Sequence, residues 1–325
     1  MKEIVIGDNE EGKKLDRFLT SYLKEASTGF IYKMLRKKNI TLNDKKAKGT
    51  EVLKKGDSIK IFFSDETFLK FRGEKGGAGK DFAGAISKLG ALPVIYEDSD
   101  IVLVNKPASV LSQKSSADDL SLNEWLLNYL YDKKAVTDKS LETYRPSVCN
   151  RLDRNTSGLV ICAKSLKGAR LMNSLIKERR IRKFYRTIVT GNIEDYAHLT
   201  GYLFKDEKKN VVHIKEEDPG DERYSYIETT YRKIEYYKDK DLSLLEVELI
   251  TGKTHQIRAH LSSIDHPIIG DAKYGGDMSF GLKYQLLHSY RVVFPADLPE
   301  GFEHLRGREF IAREPYEFLK ITGGA

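Results

Sequence analysis

The chain has 325 residues, with 55 Lys and Arg against 48 Asp and Glu and only two cysteines. That length holds about two or three domains of roughly 100–200 residues. Cys149 and Cys162 have no cysteine or histidine partners at zinc spacing, which excludes a disulfide scaffold and speaks against structural zinc. No apolar run approaches the roughly 20 residues of a membrane-spanning helix. Residues 1–8 lack the apolar core of a secretory signal. A reducing cytoplasm is the expected location.

The charge is unevenly placed. Residues 1–63 carry 15 Lys and Arg against 9 Asp and Glu, whereas residues 91–325 carry 35 of each. A small basic module joined to a balanced body suggests an arm for a polyanion, most often a nucleic acid. A lysine-rich solvated surface explains the charge alone equally well.

In chain order, Leu15, Phe18, Leu19, Tyr22 and Leu23 recur at helical spacing. Ser27 or Thr28 can cap a second helix, in which Ile31, Met34 and Leu35 face inward and Lys33, Arg36, Lys37 and Lys38 lie outside or at the end. Short strand-like runs follow at 40–42 and 58–63, with turn signals at 43–44 and 56–57. Residues 64–90 lose periodicity and carry glycines at 73, 76, 77 and 79, which reads as a flexible linker. No phosphate-loop pattern is present there.

From Leu92 onward strands and helices mix. Apolar strands are expected at 101–105 and 159–163, and alternating strands at 184–189, 227–237 and 242–250. Helices are expected at 121–131, at 166–176 and around Ile257, Leu261 and Ile264. The irregular interleaving predicts an α+β fold with a mixed or antiparallel sheet. The expected organisation is an N-terminal module at 1–63, a linker at 64–90 and a catalytic domain at 91–325.

Three segments could carry chemistry. Asp153 lies in a polar stretch between Arg151 and Arg154, followed by the donors Thr156, Ser157 and Gly158. Such surroundings keep a carboxylate ionised and suit a nucleophile or general base. An Asx-type turn before a strand explains the same spacing. Residues 251–260 (TGKTHQIRAH) open a helix, with Thr254 as candidate cap and Arg258 near the start. His255 and His260 are five apart and share no clean helical face, so they are weak metal evidence. Tyr185 sits on a strand, where a tyrosine is most often a core or interface residue.

Residues 14–19 (KLDRFL), 31–40 (IYKMLRKKNI), 42–43 (LN) and 53–57 (LKKGD) resemble the S4 RNA-binding domain. The resemblance places Lys33, Arg36, Lys37, Lys38 and Lys45 near RNA phosphates. Residues 151–159 (RLDRNTSGL), 183–186 (KFYR) and 251–261 (TGKTHQIRAHL), supported by 100–107 (DIVLVNKP), 267–275 (PIIGDAKYG) and 287–288 (LH), resemble the RluA-type pseudouridine synthases, most closely RluC-like members with an N-terminal S4 domain.

That resemblance implies a pseudouridine synthase catalytic fold and an isomerase acting on RNA, large-subunit ribosomal RNA above all. No cofactor, metal or nucleotide is needed, and a monomer is expected. It implies that Asp153 attacks the target uridine, that Arg258 pairs with Asp153, that Tyr185 stacks on the uracil, and that Arg151 enters the RNA helix where the base leaves. Asn150 and Lys253 stand where the family usually has His and Arg. Competing expectations are a transfer-RNA target, a non-catalytic RNA-binding or ribosome-assembly factor, and a carboxylate-based nucleoside hydrolase. The last would need a second carboxylate, and Asp271 is an acid without an assigned role.

Overall fold

The computed structural model describes residues 1–72, 82–116, 118–208 and 211–323. The N-terminal unit comprises β1 (Lys2–Val5), α1 (Leu15–Tyr22), α2 (Thr28–Arg36), β2 (Ile40–Leu42), β3 (Lys45–Lys46), β4 (Ser58–Ile61) and α3 (Asp65–Arg72). Its antiparallel sheet runs β1-β4-β2-β3. The apolar faces of α1 and α2 close over it, burying Leu15, Phe18, Ile31, Leu35 and Ile59. Ser27 caps α2 by accepting from the Phe30 N–H at 3.2 Å.

The expected linker at 64–90 is corrected. Helix α3 belongs to the N-terminal core: Phe68 is buried there, and Phe71 stacks on Phe30 with centroids 4.0 Å apart. Helix α4 (Ala85–Leu89) and the buried Phe82 belong to the body, where Phe82 packs with Leu127 and Leu141. Two aromatic anchors in eight residues leave too short a period to read as a helix. The glycines at 73, 76, 77 and 79 lie outside the described residues. Polar contacts join the two units, including Arg72 to Glu142 at 2.6 Å and the Lys13 ammonium to the Thr143 carbonyl at 2.7 Å.

The body contains β5 (Val94–Glu97), β6 (Ile101–Lys106), α5 (Leu122–Asp132), α6 (Asp138–Leu141), β7 (Ser147–Val148), β8 (Ser157–Ala163), α7 (Leu166–Lys177), β9 (Arg182–Thr190), β10 (Tyr196–Asp206), β11 (Val211–Lys215) and β12 (Ser225–Tyr237). It continues with β13 (Leu242–Leu249), α8 (Gln256–Ser263), β14 (Leu287–Val293), β15 (Glu309–Ile311) and α9 (Tyr316–Thr322). The main sheet runs β11-β10-β12-β13-β9-β14-β8-β6-β5, with β7 on β8 and β15 on β14. Strands β14 and β8 pair in parallel, and the other pairings between the named strands are antiparallel. This is the mixed α+β arrangement expected.

Every residue of β8 is buried. Leu159 and Ile161 face a core with Met172, Leu175 and Phe294, while Val160 and Cys162 face one with Trp125, Leu126 and Tyr185. Burial on both faces explains why this strand is a continuous apolar run rather than an alternating one.

The parallel seam depends on Gly158, whose φ is 114°. A Cβ there would collide with the backbone of Ser289 on β14. Only glycine combines that dihedral with so close an approach. The seam brings the loop before β8 beside β9, because Ser289 pairs with Gly158 on one side and with Tyr185 on the other.

Candidate active site

Asp153 occupies the turn that leads into β8. Its carbonyl accepts from the Thr156 N–H at 3.1 Å. The Ser112 hydroxyl clamps the preceding Leu152, with its N–H and its carbonyl each 3.0 Å away. On the other side, the buried Lys106 ammonium donates to the carbonyls of Arg154 at 3.1 Å, Val110 at 2.8 Å and Pro107 at 2.9 Å. Burial pulls the Lys106 pKa down to about 7, with the Asp153 charge opposing. Asn150 holds the base of the turn by accepting from the Ile161 N–H at 2.8 Å. A neutral amide is enough for that contact.

Arg258 reaches Asp153 from the first turns of α8. Its Nη1 lies 3.1 Å from Asp153 Oδ2. Its Nε and Nη2 donate to the two oxygens of Asp271 at 2.6 and 2.8 Å. The Asp271 side chain is 1 % exposed and that of Arg258 8 %, whereas that of Asp153 remains 26 % exposed. Burial lowers the Arg258 pKa, but the bond and charge of Asp271, then of Asp153, outweigh it and raise the pKa overall. Arg258 is thus a fixed cation, and Asp153 is the carboxylate of the pair that remains accessible.

Thr254 does not cap α8. His255 takes the cap position with a left-handed φ of 56° and no side-chain cap bond. That conformation turns its imidazole toward Tyr274, whose hydroxyl is 2.8 Å from Nδ1. The same hydroxyl accepts from the Val212 N–H at 3.0 Å. The other ring nitrogen, Nε2, lies 3.8 Å from Asp153 Oδ2. Burial lowers the His255 pKa, against the Asp153 charge. His260 points elsewhere, with Nδ1 3.0 Å from Thr229 Oγ1. The two histidines do not converge, and no group of three or more metal-ligating side chains occurs among the described residues.

Tyr185 on β9 is buried in the wall of the same cavity. Burial raises its pKa above the ordinary phenol value, with a hydrogen bond to Ser289 pulling the other way, so the phenol is neutral at physiological pH. The cavity holds about 660 Å³ and is also lined by Asp153, Arg258, His255 and Arg151. Arg151 is exposed at its edge. Eight Lys and Arg besides Arg258 line this cavity, and Asp153 is the one carboxylate among the described lining residues. The body is neutral overall, yet its cavity is strongly cationic.

The structure therefore brings Asp153, Tyr185, Arg258 and Arg151 together. Lys33, Arg36, Lys37, Lys38 and Lys45 are exposed on α2, its C-terminal end and β3, outside this cavity. Lys253 lines the cavity and donates to Ser225 Oγ at 3.2 Å. Sequence reasoning missed Lys106, Asp271, His255 and Tyr274 as parts of the site. Their blocks, 100–107 and 267–275 among them, carried the only signal.

Comparison with known proteins agrees with this geometry. The family of RNA pseudouridylate synthases matches residues 100–263. The ribosomal large subunit pseudouridine synthase D of Borreliella burgdorferi is 30 % identical over 287 residues, covering 87 % of this chain and 82 % of that protein. The ribosomal large subunit pseudouridine synthase C of Vibrio parahaemolyticus is 26 % identical, covering 89 % of this chain and 87 % of that one. The solved structure of human RNA pseudouridylate synthase domain containing 4 shares the fold, with a TM-score of 0.55 at 20 % identity over 74 % of this chain and 94 % of that one. The chain belongs to the RNA pseudouridylate synthase family, in its RluA-type branch, and is an RNA pseudouridine synthase.

Proposed function

We propose that this enzyme isomerises one or a few uridines in large-subunit (23S) ribosomal RNA, with Asp153 as the catalytic aspartate. The observation that carries the reading is an accessible carboxylate held by a buried arginine beside a buried tyrosine, inside a cavity whose other charged lining is cationic. Asp153 attacks the flipped uridine, the glycosidic C1′–N1 bond breaks, the uracil turns, a C1′–C5 bond forms, Asp153 is released, and C5 gives up its proton while N1 gains one. Arg258 keeps Asp153 charged and aimed. Tyr185 stacks on the uracil as a neutral phenol. Arg151 fills the gap left in the RNA, which offsets part of the few kcal/mol that flipping costs.

The N-terminal unit, read as an S4-type module with Lys33, Arg36, Lys37, Lys38 and Lys45 on phosphates, holds structured RNA next to the body. The ribosomal target is supported by the relatives from Borreliella and Vibrio, which are ribosomal large subunit pseudouridine synthases. The enzyme works as a cytoplasmic monomer without cofactor or metal.

The test is a pseudouridine map of ribosomal and transfer RNA from cells with the intact gene and with Asp153→Ala. Loss of one or a few large-subunit sites is the expected result. Loss confined to transfer RNA would reassign the substrate, and an unchanged map would overturn the role of Asp153.

A further inference from the structure

The chain from 179 to 183 contains four cations, and they divide by direction. Arg180 pairs with Asp297 at 2.7 Å, and Arg182 pairs with Glu248 at 2.7 Å. Arg179 and Lys183 line the active-site cavity instead, and neither has an acidic partner among the described residues. Arg179, two residues past the end of α7, takes a left-handed conformation, φ 58°, which turns the chain away from the helix. Lys183 is not at the surface like an ordinary lysine. It is half-buried, and its ammonium lies 3.5 Å from where a Cβ would stand on Gly252, in the loop ahead of α8. A desolvated ammonium beside a guanidinium is unfavourable by itself. Here burial, then the charge of Arg179, lower the Lys183 pKa. An anion entering the cavity would relieve both costs.

Position identifies the anion. Lys183 and Tyr185 are two residues apart on β9 and share a face, about 6.6 Å along the strand. With the uracil against Tyr185, which rests on the reading above, that offset is the reach from a base to its own phosphate. We propose that Lys183 and Arg179 form a clamp for the phosphodiester on the 5′ side of the flipped uridine. The clamp fixes the nucleotide at its backbone while the uracil is detached, so the base can turn without the ribose drifting from Asp153.

The test uses the full-length enzyme and a short RNA bearing the mapped uridine. A single neutral methylphosphonate is placed at the linkage 5′ to that uridine or, in separate RNAs, at each neighbouring linkage. Lys183→Met should lower kcat/KM about 10- to 100-fold on unmodified RNA, the scale of one charge-assisted hydrogen bond. It should also reduce the salt slope of binding by about one. Lys183→Arg should retain most of the activity. On RNA with the methylphosphonate at the 5′ linkage, the Lys183→Met penalty should vanish, and at the other linkages it should persist. A penalty of equal size on every RNA would overturn the clamp. So would wild-type enzyme indifferent to the 5′ methylphosphonate, a result that needs no variant to fold. Wild type failing on unmodified RNA would instead count against the substrate reading.

Discussion

Arg258 holds Asp153 with one nitrogen and is itself held by Asp271 with two. The asymmetry assigns the two carboxylates different work. Asp271 is sealed behind the arginine and fixes its plane, and Asp153 takes the remaining N–H at the open side of the cavity. With Asp153 as the proposed catalytic aspartate, Asp271 is a positioning residue, acting through Arg258.

Replacing Asp271 with Ala leaves a buried guanidinium with half its partners. Loss of one member of a buried pair costs about 3–5 kcal/mol. Urea unfolding of Asp271→Ala should show that loss, and kcat should fall more than KM changes. A loss below about 1 kcal/mol would mean that Arg258 finds another anchor.

Gly158→Ala should be among the most damaging substitutions in the body. The added methyl meets the β14 backbone, and the left-handed φ strains any other residue. We expect a stability loss of about 3 kcal/mol or insolubility. A soluble variant with an unchanged Tm would show that β14 can shift aside.

Two buried histidines set an acid limit. His288 sits between Ser157 Oγ at 2.8 Å and the Ala312 carbonyl at 3.3 Å, and His260 against Thr229. Burial pulls both pKa values down to about 4. In the unfolded chain they return to about 6.5. Between those values the unfolded state binds more protons, so stability is full above pH 7 and falls as pH drops. Each group should remove about 2 kcal/mol by pH 5. A Tm that stays level from pH 7 to 5 would contradict this.

Truncation should be placed by the observed core. Removing residues 1–63 strips Phe68 and Phe71 of their packing and should give an aggregating product, whereas removal of 1–81 should leave a soluble body. The shorter enzyme should bind RNA more weakly and with a flatter salt dependence, yet keep part of the slope through its cationic cavity. An unchanged slope would show that the N-terminal unit does not bind phosphates.

What could be read in advance depended on how local its cause was. β8 and β6 were legible because strands buried on both faces are apolar throughout. Asp153, Tyr185 and Arg258 were legible through the segments that carry them. β14 was not: His288, Ser289, Tyr290 and Arg291 read as polar, though the first three are buried. Their partners lie far away in sequence, Ser157 for His288 and Glu246 for Tyr290. Lys106 escaped for the same reason. A lysine at a strand end resembles a surface residue until three carbonyls are seen around its ammonium. Strands β10 and β11 lie at one end of the sheet, where most of their residues stay partly or fully exposed, so no buried apolar run marks them out.

The β8–β14 seam also sets a clock for synthesis. Asp153 leaves the ribosome early, but the strand that seats it beside Tyr185 ends at Val293. Until that strand emerges, the two wings of the sheet have nothing between them, while the N-terminal unit has had all it needs since residue 72. The N-terminal unit can therefore be folded long before Asp153 and Tyr185 stand together.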